Sequence, residues 1–177
     1  MNRRAHIKKK HEQYLVNCYL NWLKVTTGLE FSIIDDPDPP EAIIASENQT
    51  IWVEVVDVFY SDDLAKDKYS YATPDEKHQP MGPGPYVSMD QVFAHRFIGG
   101  LRKKLTKTSY VPFREKYGPG ILLIGIHHPW FDEETVRMMK DAYLSEDWND
   151  SLDCFDKIYY SFSSMNRTVF KLWPDEA

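Results

Sequence analysis

The fold is decided by two short apolar stretches, Asp38-Pro39-Pro40-Glu41-Ala42-Ile43-Ile44-Ala45 and Ile51-Trp52-Val53-Glu54-Val55-Val56-Asp57-Val58. Glu41 stands at the mouth of the first apolar run, and Glu54 lies in the middle of the second. Ionised groups are rarely buried in such surroundings unless they are paired or bound to a metal ion. Two neighbouring strands that each offer a carboxylate therefore predict either a buried ion pair or a metal site.

Between the two stretches stands Glu47-Asn48-Gln49-Thr50, which has the composition of a turn. A short turn between adjacent strands predicts an antiparallel hairpin, with strands at 41–46 and 51–59. Because side chains alternate along a strand, one face should carry Trp52, Glu54, Val56 and Val58, and the other Ile51, Val53, Val55 and Asp57. An earlier strand is expected at 29–34, followed by a proline-rich connection that fits neither a helix nor a central strand.

A first helix is predicted over residues 5–26, because apolar residues recur there at helical spacing, at Leu15, Cys18, Tyr19 and Trp22. Gly28 stands where such a helix commonly ends. Taking Leu15 as the centre of the stripe places Glu12 about 60° away, at the border of the buried face. Glu12 is therefore either a solvated residue that pairs with a nearby lysine or a member of the site.

A second helix should follow Ser88-Met89-Asp90-Gln91, a pattern typical of a capping box. Its apolar stripe repeats every four residues, at Phe93, Phe97, Leu101 and Leu105. Lys104 falls about 60° from the centre of this stripe, whereas Lys107 falls about 120° away and Lys103 lies on the far side. Lys104 is therefore the lysine that points most directly toward the protein body.

The C-terminal part predicts a buried strand, a helix and two closing strands. Ile121–Ile126 is continuously apolar, as in strands buried on both faces. Asp132 has the position of an N-cap for a helix that reaches about Leu144. The closing strands are expected at 155–162 and 168–173, separated by Ser163-Ser164-Met165-Asn166.

Two further segments leave their roles open. Residues 60–87 hold four prolines and four tyrosines without clear periodicity, and we expect a long loop that is either a functional lid or disordered. His127 and His128 follow the buried strand, and neighbouring side chains point to opposite sides of a strand. The two histidines are therefore poorly placed to share one metal ion.

The composition indicates one domain, 1–177, in a cytoplasmic protein. The two cysteines, Cys18 and Cys154, are too few and too far apart to suggest a disulfide framework or a zinc site. No apolar run approaches the ~20 residues of a membrane span, and no apolar segment of a signal peptide follows the basic N-terminus. We therefore expect no membrane partner.

The net charge of −6 argues against nucleic-acid binding by bulk charge. Basic residues nevertheless cluster on the second predicted helix and just after it, where Arg102, Lys103 and Lys107 are candidates for contacts with phosphates. A solvated helix face explains the same residues equally well.

The element order and the carboxylate pair resemble the PD-(D/E)XK nuclease superfamily. The resemblance runs from about Ala5 to His127 and rests on Pro40-Glu41 and Glu54-Val55-Val56. It implies a mixed α/β fold with a restriction-endonuclease-like αβββαβ core, in which helices flank a central mixed sheet. To this core the chain would add a helix and two closing strands. The resemblance also implies a divalent ion, Mg²⁺ or Mn²⁺, and hydrolysis of phosphodiester bonds.

Within this resemblance, Glu41 takes the first acidic position and Glu54 the second, both as catalytic metal ligands. Pro37-Asp38 is the more literal match to the motif, but Asp38 precedes two prolines and does not fit a paired strand. Asp38 is therefore kept as a second candidate ligand.

The lysine of the motif is replaced by Val56. Some members of the superfamily carry this lysine on the following helix, which makes Lys104 the best substitute. Glu12 would match an acidic residue that some members carry on the first helix.

Two functions remain open. The first is a metal-dependent enzyme that cleaves nucleic acid, with DNA as the first choice and a homodimer as one option. The second is a module that keeps the nuclease fold without catalysis and binds nucleic acid or protein. Val56 favours the second function, and the position of Lys104 favours the first.

Overall fold

A computed structural model of the protein describes residues 3–84, 86–162 and 169–173. Its elements in chain order are α1 (Arg3–Thr27), β1 (Ser32–Asp35), β2 (Ala42–Ala45), β3 (Thr50–Phe59), α2 (Asp62–Ala72), α3 (Met89–Leu105), a 3-10 turn (Thr108–Tyr110), α4 (Val111–Tyr117), β4 (Gly120–His127), α5 (Glu133–Ser145), β5 (Phe155–Phe162) and β6 (Val169–Trp173). Within these ranges, no helix combines the length and the apolar character that a bilayer crossing requires.

The six strands form one mixed sheet whose spatial order is the chain order, β1 to β6. β1, β2 and β3 are successively antiparallel, β3, β4 and β5 run parallel, and β6 returns antiparallel to β5. The predicted class, a mixed α/β fold with helices flanking a central sheet, is confirmed. Between β3 and β4 the described residues form three α-helices, where the sequence predicted one.

The hairpin of β2 and β3 sets the geometry of the candidate site. Ala42 pairs with Val53 and Ala45 with Thr50, as the predicted turn requires. β3 then continues past β2 over residues 54–59, with β4 as its strand partner. Extending the register of the hairpin by one residue brings Glu41 opposite Glu54.

Two apolar cores occupy the two faces of the sheet. The α1 core lies under α1, where Leu15, Val16, Tyr19 and Leu23 are buried with Val53, Val55 and Leu123. The α3 core lies under α3 and α5 and contains Trp52, Val58, Phe93, Phe97, Leu101 and Met139. The predicted alternation along β3 is confirmed by this division, and β4 is buried along its whole length as predicted.

The prediction of one long loop over residues 60–87 is wrong, because this segment contains α2. Ser61 caps α2 by accepting a hydrogen bond from the Leu64 N–H, at 3.1 Å, and two aspartates stand in the first turn. Both features favour a helix start. The chain after α2 folds back on it, since the Met81 N–H donates to Asp67 at 3.0 Å. Apolar periodicity misses α2 because few of its residues are buried.

The helix α3 begins where the sequence predicts, with Ser88 at its N-cap position, but the predicted capping box does not form. Ser88 has a positive φ of 51° and makes no side-chain capping bond. The neighbouring Asp90 instead accepts a hydrogen bond from Thr135 at the start of α5. Asp132 and Thr135 form a capping box there, which confirms Asp132 as the N-cap. The predicted turn at 163–166 and residue 168 lie outside the described residues.

Candidate functional site

Glu54 is the most deeply buried carboxylate of the hairpin, with a side chain only 1% exposed. Lys104 Nζ donates a hydrogen bond to Glu54 Oε1, as the position of Lys104 on α3 predicts. Glu54 Oε2 is buried without a hydrogen-bond partner within the described residues. A buried carboxylate oxygen that lacks a partner is costly, and it is also a ligand atom available to a cation.

Glu41 stands directly before β2, opposite Glu54, and is 6% exposed. Burial and the charge of Glu12 raise the pKa of Glu41 to about 8. Glu54 and Asp38 add to this rise, and Lys8 opposes it. Glu41 thus has more carboxylates than basic groups around it. A bound cation would reduce the repulsion between these carboxylates.

Glu12 lies at the centre of the buried face of α1, not at its border as predicted. The apolar residues that α1 buries are Leu15, Val16, Tyr19 and Leu23. At about 100° per residue, the mean direction of these four side chains around the helix axis is close to that of Glu12. Glu12 is 5% exposed and pairs with Lys8, one turn earlier, at 2.7 Å between Nζ and Oε1. Burial raises the pKa of Glu12 although Lys8 opposes the rise.

Asp38 lies exposed in the connection between β1 and β2 and belongs to no paired strand, as its prolines predict. Its φ is 44°, and its N–H donates to the carbonyl of Pro40 at 2.9 Å. Asp38 reaches the cluster through its charge, which contributes to the raised pKa values of Glu12 and Glu41.

Tyr110 also lies beside Glu54, and the sequence did not predict this. Burial and the nearby charge of Glu54 raise the pKa of Tyr110 well above its ordinary range. Its buried hydroxyl does not meet strict hydrogen-bond geometry, but a weak hydrogen bond to Glu54 adds to this rise, so Tyr110 faces the same carboxylate as Lys104. Its ring stacks on Trp52, with 5.6 Å between the ring centroids. Tyr110 ends a 3-10 turn, where no periodic pattern marks a buried residue.

The three basic residues predicted to contact nucleic acid have different surroundings. Arg102 forms ion pairs with Glu146 and Asp150 and lies over the ring of Trp148, which accounts for it as an anchor between α3 and the segment after α5. Lys107 Nζ lies 5.0 Å from the centroid of the Tyr110 ring.

Lys103 is exposed and lines a cavity of about 490 Å³ where α2 and α3 meet the end of β3. Other polar residues of this cavity wall are Asp57, Asp62, His95 and Arg96. Arg96 Nε donates to the carbonyl of Phe59 at 2.9 Å, which holds the end of β3 against α3. Arg102 also lines a cavity, of about 670 Å³ between α3 and α5, but its guanidinium is held by Glu146 and Asp150.

A second polar cluster lies on the opposite face of β3, where His11 of α1, Asp57 of β3 and His127 of β4 meet. His11 Nε2 and His127 Nε2 lie 3.0 Å and 2.9 Å from the same oxygen, Asp57 Oδ1. Burial raises the pKa of Asp57, but hydrogen bonds from the two histidines outweigh burial and hold that pKa well below its usual range. The expectation that His127 and His128 face opposite sides is met, since His128 lies near Asp90 instead.

The sequence carried a partial signal for this second cluster. His11 stands one turn before Leu15 on α1, and Asp57 shares the α1 face of β3 with Val53 and Val55. These facts place His11 and Asp57 under the same helix, but His127 enters only through the parallel pairing of β3 with β4. That pairing joins segments about seventy residues apart, and no local pattern predicts it.

The donor set at the hairpin fits the divalent ion that the resemblance implies. Carboxylate oxygens are the ligands that Mg²⁺ prefers, and Mg²⁺ usually keeps several waters. The unpartnered Glu54 Oε2 and the raised pKa of Glu41 both indicate room for positive charge. Among the described residues, the set with three ligand atoms all within 4.8 Å of one another is His11, Asp57 and His127, not the carboxylates. Waters and substrate oxygens would therefore complete a Mg²⁺ shell at the hairpin.

No family model matches this sequence, and no curated protein or solved structure is significantly similar to it. The chemistry of the chain is therefore argued from its own side chains. At the hairpin these are two buried carboxylates on adjacent strands, a third carboxylate from α1, and one lysine from α3.

Proposed function

We propose that the protein is a metal-dependent phosphodiesterase of the nuclease type, acting on nucleic acid. The observation that carries the proposal is the meeting of Glu41, Glu54 and Lys104 where β3 leaves the hairpin. Mg²⁺ or Mn²⁺ bound there would polarise a phosphate and lower the pKa of a bound water. Glu41 and Glu54 are the proposed ligands, and Glu12 or Asp38 adds negative charge that strengthens the attraction for the ion.

Lys104 has the role of the missing motif lysine in this proposal. The motif would place a lysine at position 56 of β3, where this chain has Val56. The ammonium of Lys104 reaches Glu54 from α3 and so supplies a positive charge near that position. A lysine in this position would offset negative charge that develops on a phosphoryl oxygen and would help to orient the attacking water. Lys103 and the cavity beside it are the proposed contact for the phosphate backbone.

The test is a cleavage assay of the purified chain on duplex DNA, single-stranded DNA and RNA, with Mg²⁺, with Mn²⁺ and with EDTA. We expect metal-dependent cleavage of DNA that falls by about 10²–10³-fold in Glu54→Gln. Glu115→Gln, an exposed carboxylate on α4, is the matched control and should keep full activity. Circular dichroism of both variants shows that the loss is not unfolding.

A second candidate function is a module of the same fold that binds without cleaving. The observation in its favour is the closed Glu54–Lys104 pair, because Glu54 is 1% exposed and a substrate phosphate must reach it. A wild-type chain that binds labelled DNA, leaves it intact with either ion and takes up no Mg²⁺ would establish this second function and exclude the first.

A further inference from the structure

We propose that His11, Asp57 and His127 form a binding site for a first-row divalent transition-metal ion of the Zn²⁺ class. This site lies on the α1 face of β3, on the side of the sheet away from Lys104. The proposal stands apart from phosphodiester cleavage, because it requires none of the carboxylates at the hairpin. It rests on the convergence of the three side chains, on an unpartnered oxygen and on the space left by a glycine.

The three ligand atoms come from three different elements and already lie close together. Both histidine Nε2 atoms face Asp57 Oδ1, and all three candidate ligand atoms lie within 4.8 Å of one another. In a tetrahedral Zn²⁺ site with metal–ligand distances of about 2.0–2.1 Å, neighbouring ligand atoms are roughly 3.3 Å apart. The two Asp57–histidine distances are a few tenths of an ångström shorter than this, and the two Nε2 atoms lie within 4.8 Å of each other.

Asp57 has an oxygen that the protein leaves without a partner. Oδ2 of Asp57 is buried and accepts no hydrogen bond within the described residues, although the side chain is only 6% exposed. A buried acceptor without a donor calls for an ion or a water. The two histidines use only Oδ1 of Asp57. Oδ2 therefore remains available to a cation.

The space for the Asp57 carboxylate depends on Gly125 of β4. A Cβ atom at position 125 would lie 2.2 Å from Asp57 Oδ1, closer than any side chain could tolerate. Phe59 stacks on the His127 ring, with 4.2 Å between the ring centroids, and so fixes its orientation. The backbone and the aromatic packing thus hold two of the three ligands in place before any ion arrives.

The kind of ion follows from the ligand types. Imidazole nitrogens suit Zn²⁺ and its neighbours among the transition metals, whereas sites built from carboxylates suit Mg²⁺. Asp57 and His127 are buried, and His11 is 25% exposed. Water can therefore reach the cluster from the His11 side and take the fourth position of the ion.

Lys68 of α2 is the group that opposes the ion. Its Nζ lies 3.1 Å from His127 Nδ1. An ammonium group only donates, so Nδ1 accepts and the proton of the neutral ring sits on Nε2, facing Asp57. Metal binding through Nε2 requires that proton to move to Nδ1, where it meets Lys68. Zn²⁺ and the Lys68 ammonium therefore compete for the same histidine.

The experiment is a calorimetric titration of the full-length chain with ZnCl₂ at constant pH. We expect one Zn²⁺ per chain, and an affinity that falls at least about tenfold in His11→Ala, because even the loss of a supporting residue costs metal sites that much. His6→Ala, which removes an exposed histidine of the same helix, is the matched control and should bind like the wild type. Circular dichroism checks that His11→Ala is folded.

Two further variants sharpen the outcome. Lys68→Met should bind Zn²⁺ several-fold more tightly, because the competing ammonium is gone, and an unchanged affinity would contradict the competition. Glu41→Gln should leave Zn²⁺ binding unchanged. A wild-type chain that takes up no Zn²⁺, or a Zn²⁺ affinity that survives His11→Ala or disappears in His6→Ala, would overturn the site.

Discussion

Glu54 and Asp57 stand three residues apart on β3, yet they meet opposite surroundings. Glu54 faces the α3 core, beside Glu41 and one lysine, and the crowding of carboxylates there raises the pKa of Glu41. Asp57 faces α1 and is held by two histidines, which keep its own pKa low. One strand thus carries two buried carboxylates: Glu54 has one ion pair and an acidic neighbour, whereas Asp57 has two imidazole donors.

The comparison shows that burial alone does not tell what a carboxylate does. A buried acid with too few donors is a place where a hard cation lowers the energy, whereas one held by two imidazoles links its elements and offers nitrogen ligands to a transition-metal ion. Changing one component on either face of β3 tests this difference.

Removing the lysine of the α3 face should have the largest effect. In Lys104→Met the buried Glu54 carboxylate loses its only ion pair among the described residues, which costs about 3–5 kcal/mol of unfolding free energy. In Lys104→Met combined with Glu54→Gln the uncompensated charge is gone, and most of the loss should be recovered. Urea denaturation at pH 7 measures both. A double variant no more stable than Lys104→Met would show that the pair is not what holds Glu54.

Filling the space beside Asp57 tests the α1 face. Gly125→Ala forces a methyl group against Asp57 Oδ1 and should lower the unfolding free energy by about 1–3 kcal/mol. Gly99→Ala is the matched control, because no atom lies within 4 Å of the added methyl group in the interior of α3. Alanine there should stabilise by about 0.5–1 kcal/mol. Thermal denaturation that moves both variants in the same direction would contradict this assignment.

The raised pKa of Glu41 predicts how stability depends on pH. The folded chain holds the Glu41 proton up to about pH 8, whereas an unperturbed glutamate loses it near 4.5. The unfolded chain therefore binds fewer protons between these values, and stability falls as the pH rises from about 4.5 to about 8. Glu41→Gln should remove this part of the slope, which is at most about 1.4 kcal/mol for each pH unit in the range. Urea titrations at several pH values compare the two chains, and parallel curves would contradict the assignment.

The smallest effect is expected at the cavity beside α3. Lys103→Ala should weaken DNA binding uniformly across sequences and reduce the slope of log affinity against log salt by about 1, because one phosphate contact is lost. Lys140→Ala on α5 removes a lysine outside this cavity wall and serves as the control. Fluorescence anisotropy at several salt concentrations measures both slopes, and equal slopes would remove Lys103 from the contact surface.

The parts of the fold that the sequence predicted are those with a local cause. The hairpin followed from its apolar runs and its turn, and the inward direction of Lys104 followed from the stripe on α3. α2 was missed because its evidence lies in the cap at Ser61 and not in apolar periodicity. The direction of Glu12 was predicted imperfectly because Val16 and Leu23 are buried on that helix, whereas Cys18 and Trp22 are only half-buried.

The candidate site divides in the same way. Glu41 and Glu54 were identified because a carboxylate inside an apolar run is conspicuous in sequence. Tyr110 and His127 were not, because each joins its cluster through contacts between segments far apart in the chain. The pairing of β3 with β4 places His127 in its cluster, and the path of the chain after α3 places Tyr110 beside Glu54. No short stretch of sequence predicts either contact.

The extension of β3 past β2 also bears on how this protein stays dispersed. An uncovered stretch of strand presents backbone donors and acceptors on which a second chain can build a sheet and start aggregation. Here charged groups crowd that stretch, since Arg96 binds the Phe59 carbonyl and pairs with Asp62, while Lys103 stands nearby. The side chains around the cavity therefore also act as a barrier to strand addition. Any substitution made to probe catalysis along 54–59 should be checked for solubility as well as for activity.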